Sequence, residues 1–318
     1  MGLHRPRHGS MQFWPRKRAR KELPSVNWRP LENKNFGKKI LGLIGYKVGM
    51  VSAVVKDNTP HSMTKGKNIT IPATVIECPP IKVFGIRFYK NGKTALDILA
   101  DNIDKEMKKK IKLPKSSSKE KLAGIKTEDY DNIRLYIHTM PKVSGVKKTP
   151  DIAEVGIEGS LNDKLNFAKE ILGKEIDIKE VFEKGNLIDI HAVTKGKGFT
   201  GPVKRFGLHL KSHKSEKGIR RPGSLGPWHP ARVTYRAPLA GQMGFFTRIK
   251  YNNKILDINS KEKISNITFE KFGKVNSNYI IVKGSVSGPS KRAVIMTQVL
   301  RPTKHTSKEI YDVLELHR

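Results

Sequence analysis

Between Lys195 and Lys254, sixty residues carry fourteen Lys or Arg against one carboxylate, Glu216, together with nine Gly, five Pro and seven Phe, Trp or Tyr. Hydrophobic periodicity is almost absent from this stretch. Such a segment cannot bury itself in a core, and its like charges repel one another unless a polyanion runs alongside. Nucleic acid offers a dense line of phosphates for the cations and flat bases for the interleaved rings. The composition therefore points to an extension embedded in RNA.

The rest of the chain is consistent with that partner. With 62 Lys+Arg against 29 Asp+Glu, the formal charge of +33 far exceeds what solubility needs. At 318 residues and 37% hydrophobic, there is material for a real core and about two domains. The single cysteine, Cys78, excludes an intrachain disulfide and a cysteine-rich zinc module; it reads as a buried thiol in a reducing compartment. No apolar run approaches the roughly 20 residues of a membrane helix. The basic N-terminus has no apolar stretch behind it, which argues against a secretory signal and for a cytoplasmic protein.

The first thirty residues hold eight Lys/Arg and one Glu, with Phe13, Trp14 and Trp28 among prolines, and read as a basic tail. From Lys39 to Tyr89 short β-branched and aromatic runs (ILGLIGY, VGMVSAVV, IPATVIE, IKVFGIRFY) are separated by Gly, Pro and Asn, the pattern of strands in a small sheet or barrel. Residues 91–184 carry 19 Lys/Arg and 17 Asp/Glu, a near balance. Ser160 and Asp163 before LNFAKEIL, and Asp177 and Glu180 around IKEVFEK, mark capped helices; KSSSKEK (115–121) reads as a mobile loop. Strand character returns at LIDIHAVT, KILDI, NYIIVKG and AVIMTQVL, and TSKEIYDVLELHR reads as a short amphipathic helix. The strands flank the mixed segment, so one β domain is expected to be interrupted by an insertion and by a long excursion.

Motifs for catalysis are weak. Gly196, Gly198 and Gly201 match G-x-G-x-x-G after a strand, but Pro202, Gly207 and the basic residues oppose a following helix, and no acid follows about twenty residues on to hold a ribose. The glycines fit tight turns beside a sugar-phosphate chain better. His209 and His213 have helical ligand spacing without a third ligand, and Glu216 alone does not make an active site. No cofactor, metal or catalytic residue is expected. An RNA-modifying enzyme would need a cofactor loop or acid/base cluster, and a free translation factor would need a nucleotide site.

The clusters Arg16-Lys17-Arg18, Lys204-Arg205 and Arg220-Arg221 lie beside Pro, Gly and aromatics with no acids to pair with, and read as phosphate contacts. The other RNA-binding candidates in and around the two basic segments are Arg20, Lys195, Lys197, Lys211, Lys214, Arg232, Arg236, Gln242 and Arg248. Trp228, in SLGPWHPARV, reads as a ring stacked or wedged at the tip of an extended loop, the alternative being a core residue.

PRHGSMQFWPRKRA, GYKVGM, AVTKGKGFTG, GPWHPARV, AGQMGFFTR and VKGSVSGPSKR, in this order along the whole chain, resemble large-subunit ribosomal protein three in its archaeal and eukaryotic form. Residues 91 to about 148 match least. The resemblance implies a mainly β fold with an α/β insert. Its parts would be a basic N-terminal extension (1–38), a translation-factor-type β-barrel (39–90, then 185–195 with 237–300), an inserted α/β domain (91–184), a basic central loop (196–236) and a C-terminal tail or helix (301–318). It further implies binding to large-subunit rRNA early in assembly, neighbouring ribosomal proteins as partners, no independent homo-oligomer and no catalytic activity. The loop would approach the peptidyl-transferase centre from the A-site side, with Trp228 and His229 at its tip and His213 on its other arm.

Overall fold

The computed structural model describes residues 9–37, 40–114, 122, 124–125, 127–214, 217–260, 264 and 267–317. The mobile loop expected at 115–121 lies outside these, as does Glu216. The fold is mainly β, and the chain divides into two compact units. The larger comprises Glu22–Ala192 and Arg248–Arg318; the smaller comprises the residues up to Lys21 and Val193–Thr247.

In the larger unit, β1 (Gly42–Asp57) joins two of the apolar runs into one strand of 16 residues. Its first residues are buried without interruption, and burial then alternates, because the strand leaves a core packed on both faces for a sheet with one open face. It pairs antiparallel with β2 (Asn68–Glu77). The next strands, β3 (Ile81–Lys90), β4 (Lys93–Leu99), β5 (Asn132–Thr139), β6 (Ile152–Gly156) and β7 (Glu175–Ile176), form a separate sheet in the order β4-β3-β5-β6, with β7 on β3. IKVFGIRFY, expected with the first strands, is thus an inner strand of the second sheet. Its edges are taken by β4 and β5, which outweighs its nearness in sequence to β2.

Chain order continues with β8 (Leu187–Val193), β9 (Gly196–Thr200), β10 (Gly241–Gly244), β11 (Thr247–Asn259), β12 (Tyr279–Lys283), β13 (Ala293–Gln298) and β14 (Tyr311–His317). The first sheet runs β13-β8-β11-β12-β2-β1-β14. Because β13 also pairs with β1 through Gly42–Tyr46, the pairing circuit closes over six strands and leaves β14 outside it. The C-terminal segment expected as an amphipathic helix is therefore a strand beyond one short turn of helix, Lys304–Ser307. Its register on β1, with Val313 opposite Val55 and Leu316 opposite Ala53, directs its apolar residues to an existing core face.

Trp28, grouped by sequence with the basic tail, is 1% exposed. Together with Leu31 it belongs to the core that joins both sheets. The ring lies against Gly42, where a Cβ would come within 2.9 Å of it. The helix Leu161–Ile171 has the expected N-cap: Ser160 Oγ accepts from Asp163 N at 3.3 Å, and Asp163 accepts from Ser160 N, also at 3.3 Å. The second expected helix is a single turn, Ile178–Val181, capped by Asp177 and Glu180. Cys78 is buried, and burial pushes its thiol pKa well up.

Candidate nucleic-acid interface

The smaller unit is built from the two basic segments. It contains eighteen of the chain's Lys and Arg residues and one carboxylate, Glu216, which lies outside the described residues. In the larger unit, by contrast, carboxylates engage guanidinium groups. Arg134 Nε and Nη1 donate to Glu32 and Glu154 at 2.8 and 2.9 Å, and Arg87 makes a two-pronged contact with Asp97 at 2.8 Å. These arginines have donors committed to acids; the cations of the smaller unit have no carboxylate among the unit's described residues, a setting that favours a polyanion.

The unit's base is a short antiparallel pair, β9 with β10, in which Phe199 faces Gln242 and Thr200 faces Gly241. Gly244 is obligatory there: its φ is +70° and a Cβ would lie 2.0 Å from the carbonyl oxygen of Lys195. The expectation that Pro202 and Gly207 forbid a helix is corrected. Pro202 opens a helix, Pro202–Phe206, and Gly207 closes it in the left-handed conformation. Proline is favoured in the first turn, where its missing N–H costs nothing, and glycine is favoured just past the end. Gly196 and Gly198 lie within β9 rather than on a strand-to-helix turn, which removes the dinucleotide geometry.

The N-terminal arm closes on this base. Ala19 N donates to Phe245 O at 2.8 Å. Trp14 packs edge-on against Phe206 and Tyr235, with centroids 6.2 and 5.7 Å away. Arg16 stacks 4.2 Å from the Phe206 centroid and donates to Arg205 O at 2.5 Å. Arg205 in turn donates to Gln242 O and Leu239 O at 3.0 and 2.9 Å, and burial pushes its pKa down. Gln242 donates to Gly244 O at 3.0 Å. Arg16, Arg205 and Gln242, expected as RNA contacts, hold the unit together.

Lys17, Arg18, Arg20, Lys195, Lys197, Lys204, His213, Lys214, Arg220, Arg221, His229, Arg232 and Arg236 are exposed, and Lys211 is half-buried. Arg248 falls in β11, in the larger unit, half-buried and with its pKa lowered by burial. Trp228 is 88% exposed, so it is not a core residue. Between Gly207 and β10 the described residues form no helix or strand. Sequence reasoning missed Phe199, 81% exposed, and Tyr235, 68% exposed with Arg236 at 5.5 Å from its ring. An aromatic side chain in an acid-poor, cation-rich stretch is itself the signal that would have found both. Among the described residues no group of three His, Cys, Asp or Glu is arranged to hold a metal ion.

The family pattern described as Ribosomal protein L3 matches residues 1–315. The chain belongs to the ribosomal protein L3 family. Curated relatives extend the match across their own lengths. The large ribosomal subunit protein uL3 of Methanobrevibacter smithii is 45% identical over 318 aligned residues, covering 94% of this chain and 93% of that protein. Those of Methanocaldococcus jannaschii and Methanosphaera stadtmanae are 39% and 42% identical, covering 95% and 96% of this chain. The L3 family consists of ribosomal proteins, not enzymes. No helix among the described residues is long and apolar enough to cross a membrane.

Proposed function

We propose that this chain is a permanent structural constituent of the large subunit of the cytoplasmic ribosome, that it binds large-subunit rRNA through its smaller unit, and that it supports early assembly. The observation that carries this reading is the acid-poor unit itself, with eighteen Lys or Arg against one carboxylate, its exposed cations and the exposed rings of Phe199, Trp228 and Tyr235. Lys and Arg neutralise phosphates that tertiary RNA folding forces together, which lowers the cost of compaction. Backbone groups between Gly207 and β10, without a ladder of their own, find partners in RNA and ordered water. In this reading residues 196–236 reach towards the peptidyl-transferase centre from the A-site side. Trp228 and His229 are at the tip and His213 is on the other arm.

The closed six-strand circuit serves as a translation-factor-type barrel. The sheet β3 to β7 serves as the inserted domain and begins near residue 78 rather than 91. Neighbouring ribosomal proteins contact the larger unit. The test is the salt dependence of rRNA binding by the purified chain. For about ten neutralised phosphates, log K falls with a slope near −9 against log salt on a duplex-like target. A slope near −2, or a chain that washes off the large subunit at high salt, would refute the reading.

A further inference from the structure

β14 ends the path of the first sheet. It pairs with β1, and among the described residues its other edge carries no strand. Natural proteins rarely leave such an edge bare, because its N–H and C=O groups template another strand. Beside it lies a groove of about 560 Å³, with Val313, Leu316, Ile281 and Ile267 among its apolar walls. The register of β14 on β1 turns Val313 and Leu316 towards the second core cluster, yet both remain only partly covered. Leu314, the extra residue of a bulge opposite Val54 and Val55, is 51% exposed.

A further observation indicates what completes this side. The charged groups among the described lining residues are Asp257, Glu315 and His317, with His317 Nε2 3.1 Å from Glu315; there is no Lys or Arg. In a chain of net charge +33, a groove whose described fixed charges are carboxylates repels phosphate and attracts cations. The partner is thus a basic polypeptide rather than RNA.

We propose that the β14 edge and this groove receive an extended, Lys/Arg-bearing segment of a neighbouring large-subunit protein, which adds to β14 as a further strand. Its backbone pairs with the open edge, and an apolar side chain covers Val313 and Leu316. Its cations face Asp257 and Glu315. Strand addition of this kind takes affinity from main-chain bonds and selectivity from side-chain pockets. The proposal rests on the large-subunit reading above.

The test places the photo-crosslinker p-benzoylphenylalanine at Leu314 of the full chain, assembled into large subunits, and maps adducts by mass spectrometry. The expected adducts fall on a contiguous Lys/Arg-rich stretch of another ribosomal protein. They drop roughly tenfold in Glu315→Lys subunits, where the charge match is reversed. Co-sedimentation of the chain at high salt is scored in the same samples. Adducts only to rRNA or to a second copy, or no adducts in subunits that contain the chain, overturn the docking site and leave subunit membership standing. A chain that does not co-sediment overturns both.

Discussion

The guanidinium of Arg16 lies 4.2 Å from the centroid of the Phe206 ring while it donates to the backbone carbonyl of Arg205. A cation stacked on a ring contributes about 0.5–2 kcal/mol, and a charged hydrogen bond about 1.5–3 kcal/mol. Arg16→Ala is expected to loosen the smaller unit locally, raising amide exchange at residues 202–206 and 241–244 of the free protein by tenfold or more. Lys17→Ala, at an exposed neighbour, should leave that exchange unchanged and reduce the salt slope of rRNA binding by about one. Identical behaviour of the two variants would show that Arg16 is a phosphate contact and nothing else.

Two tryptophans separate stability from function. Trp28 is 1% and Trp228 88% exposed. Trp28→Ala empties a site in the core, at a cost of about 3–5 kcal/mol, and the melting temperature should fall accordingly. Trp228→Ala should leave melting nearly unchanged. Its effect, about 1–3 kcal/mol for one stacking contact, should appear as a severalfold change in A-site tRNA affinity or peptidyl-transfer rate in assembled ribosomes. A large loss of thermal stability with normal kinetics would overturn the loop-tip reading.

Burial pushes the imidazole of His191, on β8, down from 6.5 to about 4. Between those values the unfolded chain binds a proton there that the folded chain does not, so stability falls as pH drops through this window and levels off below it. The contribution lost is about 3 kcal/mol. Chemical denaturation from pH 7 to 4 should show the wild type losing that much more stability than His191→Gln. Parallel curves would mean the ring is solvated in the fold.

Residues 91–184 expressed alone should stay soluble, since their charges nearly balance, but should lack a cooperative unfolding transition. The sheet's inner strand, β3, pairs with β4, β5 and β7 and lies outside that fragment. A fragment beginning at residue 78 should recover the transition by circular dichroism and bind rRNA weakly at physiological salt. Cooperative folding of 91–184 by itself would show that β3 is dispensable.

Several features were legible because their causes are local. The capping box at Ser160 and Asp163 and the apolar runs of β1, β2, β11, β12 and β13 follow from residue types at fixed spacing. The same holds for Gly207, whose place after the basic helix Pro202–Phe206 could have been read from the proline five residues earlier. What misled was composition averaged over a window. It assigned Trp28 to a basic tail, and it gave Tyr311–His317 a helical face that the free side of β1 claims as a strand.

The sequence by itself pointed two segments towards a polyanion, because their charge has little internal compensation and their apolar content is small. It determined the mainly β character for the same kind of reason, from β-branched runs between turn residues. Only the tertiary structure decided that β3 belongs to the second sheet and that β14 lies outside the closed circuit, because strand pairing is settled by which open edge is available and which face needs covering. Likewise only packing turned Arg16 and Arg205 inward. An arginine's donors do not distinguish phosphate oxygens from backbone carbonyls, and the choice was made by the aromatic surface of Trp14 and Phe206 that folding brought within reach.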